Sequence, residues 1–62
     1  MQYKILNTIT KNEIDNAVTR LEKMVNEEMK DGWRPQGGVN INHTELIGCH
    51  LYLVAQAMVK ED

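Results

Sequence analysis

Apolar and polar residues alternate from residue 3 to residue 9, with Tyr3, Ile5 and Ile9 in one row and Lys4 and Thr8 in the other. That period of two, with its β-branched content, predicts a strand with one buried face. Asn7 on the inner row and Leu6 on the outer row are the two exceptions. The period then changes. Ile14, Ala17, Val18, Leu21, Met24, Val25 and Met29 recur at spacings of three and four, which makes one apolar stripe on a helix. Thr10-Lys11-Asn12-Glu13 fits a capping box, with Ile9 placed as a hydrophobic staple. Acids near the start and Lys30 near the end suit the helix dipole. A helix over residues 11–30 is predicted.

Gly32 is the left-handed residue expected just past such a helix, and Trp33 falls where a C-cap places its hydrophobic contact. Pro35 keeps the helix from resuming and biases Arg34 towards an extended shape. As a strand residue, Pro35 belongs on an edge, because it has no N–H to give to a ladder. Alternation returns over residues 37–42, with Val39 and Ile41 on one face, and the Gly37-Gly38 pair predicts a bulge or a place where something presses close to the backbone. Residues 43–48 read as a connection. The longest strand covers residues 49–59. One of its rows, Leu51, Leu53, Ala55, Ala57 and Val59, is wholly apolar and is expected to face the helix. The other row, His50, Tyr52, Val54, Gln56 and Met58, is half polar.

The order strand-helix-strand-strand predicts a single small α+β domain over residues 1–62. A strand–helix–strand crossover leaves its two strands parallel, and the last strand returns by a hairpin. Being the longest and most apolar, that strand belongs in the centre. The expected architecture is a three-stranded sheet of order 1-3-2 with one helix on one face. The other face would then expose Leu6, Tyr52, Val54 and Met58, with Lys4, Thr8 and Gln56 between them. A patch of that kind is rare on a monomer and points to self-association, most often as a twofold homodimer.

Composition changes the picture in three ways. At 62 residues the core is marginal, and a single cysteine, Cys49, allows no intrachain disulfide, so oligomerisation is the remaining way to add stability without a metal. Nine Asp and Glu against seven Lys and Arg, with the basic residues scattered, argue against nucleic acid as a partner. No apolar run approaches the ~20 residues of a membrane span, and the start has no signal-peptide pattern, so a bacterial or phage-infected cytoplasm is the expected compartment.

The block Gly32-Trp33-Arg34-Pro35-Gln36-Gly37-Gly38-Val39, the opening Tyr3-Lys4-Ile5-Leu6 and the closing Gln56-Ala57-Met58-Val59-Lys60 together resemble a family of short bacterial and phage proteins, the domain-of-unknown-function family 1737. The resemblance covers nearly the whole chain. It implies a small strand-helix-strand-strand domain, often of phage or prophage origin, and brings neither catalytic residues nor a substrate. The loop from His43 to Cys49 lies outside it.

Candidate chemistry is thin. His43, Glu45, Cys49 and His50 are metal-ligand types, but no spacing among them matches a structural zinc pattern, so no metal or cofactor is expected. Cys49 as a nucleophile would need an activating base, and its neighbour His50 points to the opposite face of a strand. The glycine pair is followed by a strand rather than a helix, which excludes a phosphate loop. Trp33 with Arg34 offers a stacking or cation–π site. The expected function is a non-enzymatic binding protein, acting as a homo-oligomer on a host or phage protein. The alternative is a small-ligand or nucleotide site at a subunit interface, built from Trp33, Arg34, Gln36, Gly37 and Gly38.

Overall fold

The computed structural model describes residues 1–61 and contains four elements: β1 (Gln2–Lys11), α1 (Ile14–Lys30), β2 (Arg34–Leu46) and β3 (Cys49–Lys60). β3 lies between β1 and β2 and runs antiparallel to both, so the sheet order is β1-β3-β2. Element order, strand order and the α+β class are those the alternation pattern predicts. The molecule is a slab 46 Å long and 17 by 13 Å in section.

The helix starts later than its sequence pattern suggests. Lys11 still pairs with Leu51 in the sheet. Asn12 then turns the chain at φ 62°, a left-handed value that Asn tolerates better than most residues. Its N–H donates to the His50 carbonyl at 2.6 Å and its side-chain oxygen accepts from the His50 N–H at 2.7 Å. The capping box does not form. The Thr10 hydroxyl donates to the Glu13 carbonyl, and the Glu13 carboxylate accepts from the Asn16 amide. Glu13 itself becomes the N-cap, without a side-chain cap bond. The ladder to β3 has claimed the residues that would have made the first helical turn.

The helix end follows expectation. The Gly32 N–H donates to the Met29 carbonyl and the Trp33 N–H to the Glu28 carbonyl, each at 3.2 Å. These two bonds define a Schellman cap, and Gly32 at φ 91° supplies its left-handed residue.

β2 is longer than expected and takes in most of the predicted connection. Only Ile47 and Gly48 remain as the turn between Leu46 and its partner Cys49. The predicted bulge is present: pairing jumps from Gln36–Ala57 to Asn40–Ala55, and Gly37 stands at φ 74°. β2 is an edge strand, as Pro35 requires.

One expectation is overturned. The helix covers the half-polar row of β3 and the Lys4, Leu6 and Thr8 row of β1, not the apolar rows, so Tyr3, Ile5 and Ile9, expected inside, are exposed. Val54 and Met58 have no exposed surface, and Gln56 is 4% exposed. Val54 clusters with Ala17 and Leu21 of the helix, and Leu6, Val18 and Val25 pack against them. Leu6, Tyr52, Val54 and Met58 are therefore not an open oligomer interface. Leu6 and Val54 belong to the helix-facing core, Met58 is completely buried, and Tyr52 shares their row, half-buried near the start of α1. Lys4, Thr8 and Gln56, the polar side chains set among this core, are all hydrogen-bonded. The Thr8 hydroxyl donates to the Ala17 carbonyl at 2.9 Å, and Lys4 pairs with Glu28 at 2.6 Å. The Gln56 side-chain amide donates to the carbonyls of Gln36, Gly37 and Ala57 at 3.3, 3.2 and 3.0 Å. Burying a polar group is costly only when its partners are missing. Here they are supplied.

Candidate interaction surfaces

The face turned away from the helix carries the other row of every strand. Cross-strand pairing arranges it as five rungs: Tyr3–Val59–Arg34, Ile5–Ala57–Gln36, Asn7–Ala55–Asn40, Ile9–Leu53–Asn42 and Lys11–Leu51–Thr44. β1 and β3 together make an apolar stripe, and β2 borders it with polar side chains. Tyr3 is 62% exposed, Ile5 55%, Ile9 59% and Leu53 36%. Among the described residues, no element packs over this face. Burying a side chain of this size contributes about 1.5–3 kcal/mol when complete, so this face holds back stabilisation that a 62-residue chain can use.

The 33–38 block divides between structural tasks. Trp33 is half-buried beyond the helix end, with Lys4 Nζ 4.1 Å and Lys60 Nζ 5.8 Å from its ring centroid. Lys4 thus serves both the ring and Glu28. The cations on Trp33 are these lysines rather than Arg34, which is exposed and pairs with Glu61 at 3.1 Å. Arg34 and Gln36 fall on the open-face row of β2, opposite Val59 and Ala57. Gly37 and Gly38 have open space where a Cβ would stand, so they are not pressed against a neighbour. Gly37 is needed for its backbone angle and Gly38 has no such requirement. What binds at the bulge is internal: the carbonyls of Gln36 and Gly37 receive Gln56.

Because α1 lies over β1 and β3, it leaves β2 partly uncovered on the helix side. A groove of about 410 Å³ opens there, with Val18, Leu21 and Val25 on one wall and Pro35 and Val39 on the other. Glu22, Asn26 and the buried Gln56 are its polar members.

At the start of β3, His43 lies opposite Tyr52 with their rings stacked at 4.7 Å. His43 Nε2 and His50 Nδ1 share a hydrogen bond of 2.8 Å. His43 and His50 thus meet across the hairpin, while Cys49 sits half-buried on the opposite row. Among the described residues, no group of three or more His, Cys, Asp or Glu is placed to hold a metal ion. No helix there is long and apolar enough to cross a membrane.

Two features escape sequence reasoning: the open stripe through Tyr3, Ile5, Ile9 and Leu53, and the anchoring role of Gln56. A signal for the second existed. A bulge leaves carbonyls unpaired, and Gln56 is the amide that the neighbouring strand carries opposite Gly37-Gly38. No family model matches the chain, and neither a curated protein nor a solved structure matches it.

Proposed function

We propose that this is a small non-enzymatic interaction protein that acts as a homo-oligomer and engages a host or phage protein in a cytoplasm. The observation that carries this reading is the uncovered apolar stripe of β1 and β3, on which Tyr3, Ile5 and Ile9 are each more than half exposed. Contiguous apolar surface of this kind marks protein contact sites. The likeness of the 32–39 block to family 1737 belongs to this proposal and rests on the residues that carry it. The ligand-binding alternative has the α1–β2 groove beside that block, but a carboxylate, Glu22, stands in its lining and disfavours a nucleotide phosphate.

Sedimentation equilibrium across a wide concentration range tests the oligomeric reading. A mass of two or more chains supports it. A single-chain mass at every concentration overturns it.

A further inference from the structure

We infer that the open sheet face docks on the same face of a second copy, about a twofold axis passing through the Asn7–Ala55–Asn40 rung. This inference rests on the homo-oligomeric reading above and adds its surface, register and symmetry.

The argument begins with area. A slab 46 Å long and 13 to 17 Å across presents a face of roughly 600–800 Å². A stable interface takes about 800 Å² from each partner. The open face therefore has close to the area of a full dimer interface.

The order of the rungs then selects the occupant. The middle rung, Asn7–Ala55–Asn40, carries small and polar side chains, and larger apolar ones lie on both sides of it. Two sheets stack about 10 Å apart with strands nearly aligned. An axis in the interface, perpendicular to the strands at that rung, lays each rung on its mirror in sequence. Leu53 of one copy then meets Ala57 of the other, a large side chain over a small one. Ile9 meets Ile5, while Val59 is already buried within the single chain at 6% exposed and adds little to the contact. Lys11 falls on Tyr3, which suits an ammonium over a ring. On the axis, Asn7 meets Asn7, and two amides can satisfy each other. The polar row of β2 meets itself without a like-charge pair, because Arg34 falls on Thr44. The face is complementary to itself in shape, polarity and charge, which is what an isologous contact requires. Moving the axis by half a rung either way places Asn7 over Ile5 or Ile9 of the other copy.

Cross-linking tests the geometry directly. In a Cys49→Ser background, Ala55→Cys lies on the axis. Its thiol should couple to the same thiol of a second copy through a reagent short enough to span the ~10 Å between packed sheets. Leu51→Cys, four residues from the axis, would be about 26 Å from its own equivalent at ~3.3 Å per residue, and should not couple. Ile9→Lys, at a position 59% exposed in the single chain, should raise the dimer dissociation constant roughly a hundredfold or more, since two apolar side chains are lost per dimer. Circular dichroism should show its fold unchanged. A dimer that Ile9→Lys leaves intact, or in which Ala55→Cys fails to couple, overturns the face-to-face arrangement while the homo-oligomeric reading stands. A wild-type chain that stays monomeric overturns both.

Discussion

The two faces of the sheet are built from the same three strands but solve opposite problems. Beneath the helix, Lys4, Thr8 and Gln56 sit among Leu6, Val54 and Met58, and each of the three polar side chains is bonded to α1 or to β2 and its own strand. On the open side, Tyr3, Ile5, Ile9 and Leu53 form an apolar stripe, interrupted by Asn7 and ending at Lys11. Counting polar residues along β3 assigns the faces the wrong way round. The difference teaches that a mixed row is a good inner face when every polar member has a partner. It also shows that a purely apolar row of a central strand can lie on the face the helix leaves open.

Stability measurements can break or sharpen this contrast. They are best made by urea unfolding at concentrations where the protein sediments as a single chain, so that self-association does not contribute. Met58→Ala should have the largest effect, about 2–5 kcal/mol, because it opens a cavity at a completely buried site. That loss is enough to leave much of so small a chain unfolded. Leu53→Ala on the open face should cost under about 1 kcal/mol, and equal losses at the two positions would break the comparison. Gln56→Leu should cost about 1–3 kcal/mol, since it strips the bulge carbonyls of Gln36 and Gly37 of their donor. A neutral result would mean that the bulge does not depend on its amide.

Thr8→Val should cost about 0.5–1.5 kcal/mol by removing the bond to the Ala17 carbonyl. The smallest effect belongs to Lys4→Met. Its ammonium and Glu28 keep about a third of their side-chain surface in water, at 34% and 27% exposed. The loss should stay within about 1 kcal/mol and shrink as salt is added, because exposed ion pairs are screened. A salt-independent loss would point instead to the packing of its stem beside Trp33.

Much of the architecture was legible in the chain. The strand over residues 3–9, the helical stripe, Gly32 as a cap, Pro35 on an edge and the glycine bulge reappear where the sequence places them, but the strand turns its Tyr3, Ile5 and Ile9 row outward instead of burying it. These are local properties. Each depends on a backbone angle or a side-chain period that a few neighbouring residues set for themselves. The capping box failed for a non-local reason: Lys11 and Asn12 are held by Leu51 and His50, some forty residues away in sequence. Of the candidate binding block, the cap and the bulge could be foreseen. The partners of Trp33 and Arg34 could not, since Lys4, Lys60 and Glu61 come from opposite ends of the chain.

The sequence by itself determined four elements, their order, the stop of the helix and the central place of β3. Only the tertiary structure decided which face of the sheet the helix takes. Both rows of β3 are apolar enough to be inner, and moving a strand by one residue exchanges them. What separates them is whether Thr8, Lys4 and Gln56 find partners, and those partners lie on α1 and β2. That choice, made by hydrogen bonds between distant segments, is also what leaves Tyr3, Ile5, Ile9 and Leu53 facing outward.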